Sequence, residues 1–323
     1  MSDGQEHGQE QRLGRIAAVD FARGAALIGM VADHLSWDLA YFGLISPAFP
    51  TAPAMRLFSH GVAATFLTLV GVSLVLAHPH EFQRRAFLKR AALIFGAAAL
   101  VTLASRLLSP ANTIYFGILH CIALASLLAA PLLRARLAFV FAVAVLVFAA
   151  PFLFASAAFN PAPVVWLGLG TVPPDTLDWR PLMPWSAFVF LGLALTRLAW
   201  RPLTTSSLSR WRPKSIFALV VDWMGRHSLP IYLIHQPILF AILYAATGFG
   251  LGQAQRIEEG FRGACIQACE AGGGLAEHCG GSCQCVIDGL TAAHLTIAFT
   301  REDLDAAQHA KFSDVIRQCA GRR

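Results

Sequence analysis

The sequence predicts an all-α protein: a polytopic membrane helix bundle of about seven spans, followed by a small helical, disulfide-rich C-terminal domain. Three observations carry this expectation. Of the 323 residues, 56% are hydrophobic and only 14% charged, and the mean hydropathy is +0.57, whereas soluble domains carry about 25% charged residues. Apolar segments recur at the ~20-residue length that a bilayer demands. Six of the seven cysteines gather beyond residue 250, where the apolar runs stop.

Taken in order, residues 1–14 are polar and lack the basic start of a cleavable signal peptide. They predict a cytoplasmic tail and a first span retained as an anchor. The apolar segments are 16–35, 58–77, 91–108, 114–133, 137–157, 183–200 and 228–249. The stretch 216–225, IFALVVDWMG, is too short to span and reads as an interfacial helix. Arg12 and Arg15, then Arg84, Arg85, Lys89 and Arg90, then Arg134 and Arg136, then Arg201, Arg210, Arg212, Lys214 and Arg226 fall on one side of these spans. The opposite loops offer Arg56, Arg106 and Arg180. The positive-inside rule therefore predicts a cytoplasmic N-terminus and an external C-terminus. The net charge of +6 resides in these short loops, which argues against a nucleic-acid partner and for the lipid bilayer as one.

The domains predicted are 1–14, a cytoplasmic tail; 15–250, the transmembrane part; and 251–323, a cysteine-rich periplasmic domain. Nine of the 19 acidic residues fall in the last of these. Its cysteines, Cys265, Cys269, Cys279, Cys283, Cys285 and Cys319, are even in number and assigned to an oxidising compartment, so disulfides are expected, with fifteen pairings open. Their Cys-x3-Cys and Cys-x-Cys spacings are not those of common zinc modules, and no metal is expected. Cys265 and Cys269 share a helix face, and Thr300-Arg-Glu-Asp303 reads as a capping box opening a last helix. Cys121, within a span, reads as an inert packing residue.

Polar residues in the spans suggest chemistry. An ionisable group at mid-membrane costs roughly 2.5–3.5 kcal/mol on insertion scales and so needs a partner or a purpose. Asp20 and Arg23 open the first span at i,i+3, which predicts an ion pair. Asp33, His34, Trp37 and Asp38 end it. From Ile16 to His34 an α-helix rises roughly 27 Å at ~1.5 Å per residue, so the two clusters should lie near opposite faces. A histidine beside carboxylates is suited to general-base work. Ser59, His60, Arg106, His120, Asp175, Asp178 and Arg180 fall in the outer layer with His34. His227, Ser228, Tyr232 and His235 fall in the inner layer with Asp20. For His60, His120 and His235 an interfacial or hydrogen-bonded structural role competes with direct chemistry, and the Asp20–Arg23 pair could equally lock helices together.

Several segments resemble the heparan-alpha-glucosaminide N-acetyltransferase catalytic-domain family and its bacterial relatives, within the wider transmembrane acyltransferases. They are RIAAVDFARG at 15–24, MVADHLSWD at 30–38, FLTLVGVSL at 66–74, FGILHCIALA at 116–125, PLMPWSAFVFLG at 181–192 and GRHSLPIYLIHQPI at 225–238. The resemblance implies transfer of an acetyl group from cytoplasmic acetyl-CoA, or another acyl-CoA, to an amino sugar or hydroxyl beyond the membrane. The family's essential histidine would map onto His34. The cysteine-rich tail lies outside the family pattern.

The expected function is thus an inner-membrane acyltransferase with His34 as general base or acyl relay and Asp33 or Asp38 orienting it. Asp20, Arg23, His235, Arg84 and Arg85 would meet the CoA co-substrate. Trp37, His60, Arg106, His120, Asp178 and Trp185 would meet a cell-envelope glycan or other periplasmic acceptor. The alternatives are a transporter or flippase, for which no internal repeat is visible, and a non-catalytic anchor for the tail. A homo-oligomer is left open.

Overall fold

A computed structural model describes residues 16–79, 81–248, 253–293 and 306–320, all of them helix or connection with no strand. The predicted tail 1–14, Arg12, Arg15 and the capping box at Thr300 lie outside the described residues. Helices occupy all seven predicted segments: α1 (Ala17–Tyr41), α3 (Pro53–Ala77), α4 (Arg84–Leu108), α5 (Ile118–Ala129), α6 (Leu137–Phe154), α8 (Leu182–Leu198) and α12 (Ser228–Gly248). Between them come α2 (Ala48–Thr51), α7 (Ala162–Val165), α9 (Trp200–Thr205), α10 (Ser207–Arg210) and α11 (Ile216–Arg226). The tail contributes α13 (Gln253–Ala271), α14 (Ala276–Ala292) and α15 (Ala306–Ala320).

By length and composition α3, α4, α6 and α12 are long and apolar enough to cross a membrane, while α5 and α8 are shorter apolar helices. Three boundaries depart from expectation. α4 begins at Arg84 rather than 91, because its four basic residues join the helix instead of preceding it. α5 has only 12 residues: Gly117 is extended at its start, and Pro131 opens a separate 3-10 turn at its end. A proline cannot donate the amide hydrogen needed to prolong the α-helix. α8 is irregular at its first turn, where Met183 leaves helical geometry and the Met183–Pro184 peptide is cis.

The chain divides into two compact units, Met1–Ala32 with Arg56–Gln236, and Asp33–Met55 with Pro237–Arg323. In the first, α5 and α6 both pack on α8, and α5 packs also on α4. Its small residues Cys121, Ala123, Ala125 and Ala129 are fully buried. Leu67, Val140, Val189 and Leu193 complete the core. Apolar side chains give no net driving force against lipid tails, so close backbone approach at small residues has to hold such helices together. Two crossings show it. A Cβ at Gly71 would overlap the Val189 carbonyl and one at Gly192 the Thr68 carbonyl, which locks α3 on α8. A Cβ at Gly24 would overlap the Val221 carbonyl and one at Gly225 the Asp20 carbonyl, which locks α1 on α11. α11, capped by Ser215, buries Val221, Asp222 and Gly225 and exposes Ile216, Phe217, Val220 and Trp223. Such a two-faced short helix suits an interfacial position.

In the second unit, Tyr41 and Phe42 at the end of α1 pack on Phe240 of α12, with ring centroids 5.5 and 4.9 Å apart. The tail is a helical domain held by three disulfides, Cys265–Cys283, Cys269–Cys279 and Cys285–Cys319. The first two staple α13 to α14, and the third ties α14 to α15 over a core of Val286, Leu290 and Cys319.

Candidate functional site

Polar side chains collect at two ends of the first unit and at the end of α1 in the second. At one end, Arg23 Nη1 donates to Asp20 Oδ1 at 2.7 Å, and Arg23 Nη2 donates to Ser73 Oγ at 2.6 Å. Nη1 also reaches the Gly225 carbonyl at 3.4 Å. Arg226 pairs with Asp222 at 2.5 Å and stands 4.0 Å from the other Asp20 oxygen. Two buried carboxylates and two guanidiniums thus form a neutral network that joins α1, α3 and α11. The predicted Asp20–Arg23 pair is present, and its reach into two further helices gives it a locking role. Asp222 and Arg226 were missed as members, although a carboxylate inside IFALVVDWMG is the same signal that singled out Asp20.

His235 is buried in the first unit, and its Nδ1–H donates to the Tyr232 carbonyl at 2.7 Å. Arg84, Arg85, Lys89 and Arg90 are all exposed on the first two turns of α4. Positive charge there opposes the helix dipole, so these residues are not placed for the benefit of their own helix.

The opposite end of the first unit lies fourteen residues away along α3 from Ser73 to Ser59, roughly 20 Å by the ~1.5 Å rise. There the long connection from α6 to α8 folds back on the α4–α5 turn. The Arg180 amide donates to the Phe116 carbonyl at 3.2 Å, and Thr176 Oγ1 donates to the Thr113 carbonyl at 2.8 Å. Asp178 Oδ2 accepts the Ile118 amide at 2.8 Å and so caps α5. His120 accepts the Gly117 amide on Nδ1 at 3.3 Å and lies 3.2 Å from Thr102 Oγ1 through Nε2. Because Thr102 gives its own proton to the Ile114 carbonyl at 2.8 Å, Nε2–H must be the donor in that contact. Both His120 nitrogens are therefore engaged within the fold.

Arg180 lies 5.0 Å above the Trp185 ring and donates to Ser59 Oγ at 3.0 Å. His60 meets the same indole edge-on at 5.3 Å. His60 and Trp185 border a pocket of about 470 Å³ whose other walls include Phe148, Phe152, Trp179 and Phe188. Arg106 is exposed on the last turn of α4, where its charge suits the helix C-terminus.

In the second unit, Asp33 and His34 are half-buried, Trp37 is 50% exposed and Asp38 is buried. Ser36 Oγ donates to the Asp33 carbonyl at 2.7 Å. His34 and Asp38 stand at i,i+4, on one face of α1, with Asp33 displaced around the helix. Among the described residues, no three His, Cys, Asp or Glu side chains are grouped as a metal site.

No curated protein and no solved structure matches the chain. A family model, heparan-alpha-glucosaminide N-acetyltransferase, catalytic, matches residues 15–237. That span takes in the whole run from Asp20 to His235 and stops short of the disulfide-bonded tail. The family implies a membrane acetyltransferase that uses an acetyl-CoA-type substrate. With more than half its length matched, the chain belongs to the heparan-alpha-glucosaminide N-acetyltransferase catalytic-domain family.

Proposed function

We propose that this protein moves an acetyl or other acyl group from cytoplasmic acyl-CoA to a sugar amine or hydroxyl in the periplasm, across a bacterial inner membrane. The observation that carries the reading is His34 on the same face of α1 as the buried Asp38, in a chain of this family. His34 takes a proton from the acceptor as its nitrogen or oxygen attacks the thioester carbonyl carbon. The new C–N or C–O bond forms, the C–S bond breaks, and the departing CoA thiolate receives the proton from the imidazolium. Asp33 or Asp38 orients the imidazole. In the relay version the same imidazole attacks the thioester first and holds the acyl group before the acceptor takes it.

Arg84 and Arg85, with Lys89 and Arg90, meet the CoA phosphates, and Asp20, Arg23 and His235 flank the entry of its acyl arm. His60 and Trp185, at the Ser59 end of the first unit, contact the acceptor.

The test is acetyl transfer by purified protein supplied with radiolabelled acetyl-CoA. His34→Ala should lower the rate by roughly 10²–10⁴-fold while the variant stays inserted and monodisperse. Near-wild-type activity in that variant removes His34 from the mechanism. In oriented vesicles, donor on the cytoplasmic side should suffice, and a requirement for donor on the periplasmic side overturns the proposed sidedness.

A further inference from the structure

The pocket at the Ser59 end of the first unit has an unusual wall for a sugar site. Phe148 and Phe152 of α6 and Trp185 and Phe188 of α8 form one side, and Val165, Val172 and Pro173 of the connection form another. His60 is the one ionisable side chain in the lining. A free sugar buried here would lose its hydrogen bonds to water with few groups to replace them. Pockets for such ligands normally offer several converging polar groups. The rim is equally informative. Phe148 is 47% and Phe152 76% exposed, on a helix that carries no polar side chain on any side. The mouth of the pocket therefore gives onto a helix face that lipid covers.

A charged group touches the Trp185 wall without itself lining the pocket. The Arg180 guanidinium is stacked on the Trp185 ring and held by Ser59 Oγ and by the Trp179 carbonyl at 2.8 Å. A guanidinium has five N–H donors in a rigid fork, and these contacts orient it without using them all. An aromatic chamber open to lipid, with an oriented cation against its Trp185 wall, is complementary to an amphiphile with a negative head.

We propose that this pocket is the acceptor subsite and that its occupant is lipid-anchored: an alkyl or prenyl chain fills the aromatic chamber, and a phosphate or carboxylate of the head group lies at Arg180. The proposal rests on the acyltransferase reading and specifies its acceptor as an amphiphile in place of a water-soluble sugar.

The experiment uses the full chain in nanodiscs of zwitterionic lipid and a long-chain alkyl phosphate with a diazirine midway along the chain. Labelling should be saturable, map to peptides containing Phe148–Phe152 or Trp185–Phe188, and be competed by plain alkyl phosphate but not by an alkyl glycoside. Arg180→Gln should weaken half-saturation by about tenfold, the size of a lost desolvated cation contact. Arg180→Lys, which keeps the charge and loses the planar stack, should fall between. Label spread evenly over α3, α4 and α12 would mean annular lipid only and overturn the proposal. Equal competition by the neutral glycoside, or unchanged saturation in a folded Arg180→Gln, would overturn the assignment of the head group. Acetyl transfer is measured on the same preparation. If neither a soluble amino sugar nor an amphiphilic amine is acetylated, the transferase reading fails while saturable labelling upholds the pocket. If a soluble amino sugar is acetylated and labelling is not saturable, the pocket reading fails and the transferase stands.

Discussion

Arg23 ties three helices with one guanidinium, touching Asp20 on its own helix, Ser73 on α3 and the Gly225 carbonyl of α11. Its removal takes the close cation from a carboxylate that is almost wholly buried and leaves the more distant Arg226, at 4.0 Å. Breaking one side of a buried pair costs on the order of 3 kcal/mol, whereas replacing both partners with neutral groups is far less harmful. Arg23→Ala should therefore lower thermal stability and yield in detergent, and Asp20→Asn/Arg23→Gln should recover most of the loss. A double variant no better than the single would show that the pairing is not what Arg23 contributes. Thr102 offers a second test. Thr102→Val removes the acceptor for His120 Nε2–H and the donor to Ile114 together, so it should cost about 1–3 kcal/mol, read as a fall in Tm, and Thr102→Ser should not.

At the scale of elements, the crossings depend on absent side chains. Gly71→Ala or Gly192→Ala places a methyl group against a backbone carbonyl that cannot move aside, so each should impair assembly of the bundle. Gly96, with open space around its Cβ position, is the control: Gly96→Ala should be neutral or stabilising by up to about 1 kcal/mol. Thermal unfolding of the three purified variants distinguishes them. The tail follows an equally simple rule. Cys265 and Cys269 sit four residues apart on α13, as Cys279 and Cys283 do on α14, and two antiparallel helices bring such pairs together as nested bridges. A peptide map of oxidised protein should return Cys265–Cys283, Cys269–Cys279 and Cys285–Cys319. In the chain-entropy picture the last, with a separation of 34 against 10 for the innermost, contributes about 1 kcal/mol more.

For the whole molecule, the loop charges predict that the tail is periplasmic. On intact cells, thiol labelling of the tail should require prior reduction but not permeabilisation of the inner membrane. Free tail thiols that react only after permeabilisation would reverse the orientation.

The helical character, the position of every long apolar helix, the Asp20–Arg23 pair and the number of tail cysteines available for bridging were legible in the sequence. Each is a local property: backbone hydrogen bonds in lipid must close within the helix, and an i,i+3 pair needs only the helical period. The twin four-residue cysteine spacing could have narrowed the fifteen pairings, had the second helix been recognised. The tertiary structure alone decided the Gly71–Gly192 and Gly24–Gly225 crossings, the enrolment of Asp222 and Arg226, and the stacking of Arg180 on Trp185 beside Ser59. Apart from the i,i+4 pair of Asp222 and Arg226, which the helical period could have shown, these join residues from five to more than two hundred positions apart, and no periodicity records which faces meet. It also decided that both His120 nitrogens are spent on the fold, because a histidine's hydrogen-bond partners, unlike its presence in an apolar run, are set by the packing of neighbouring helices.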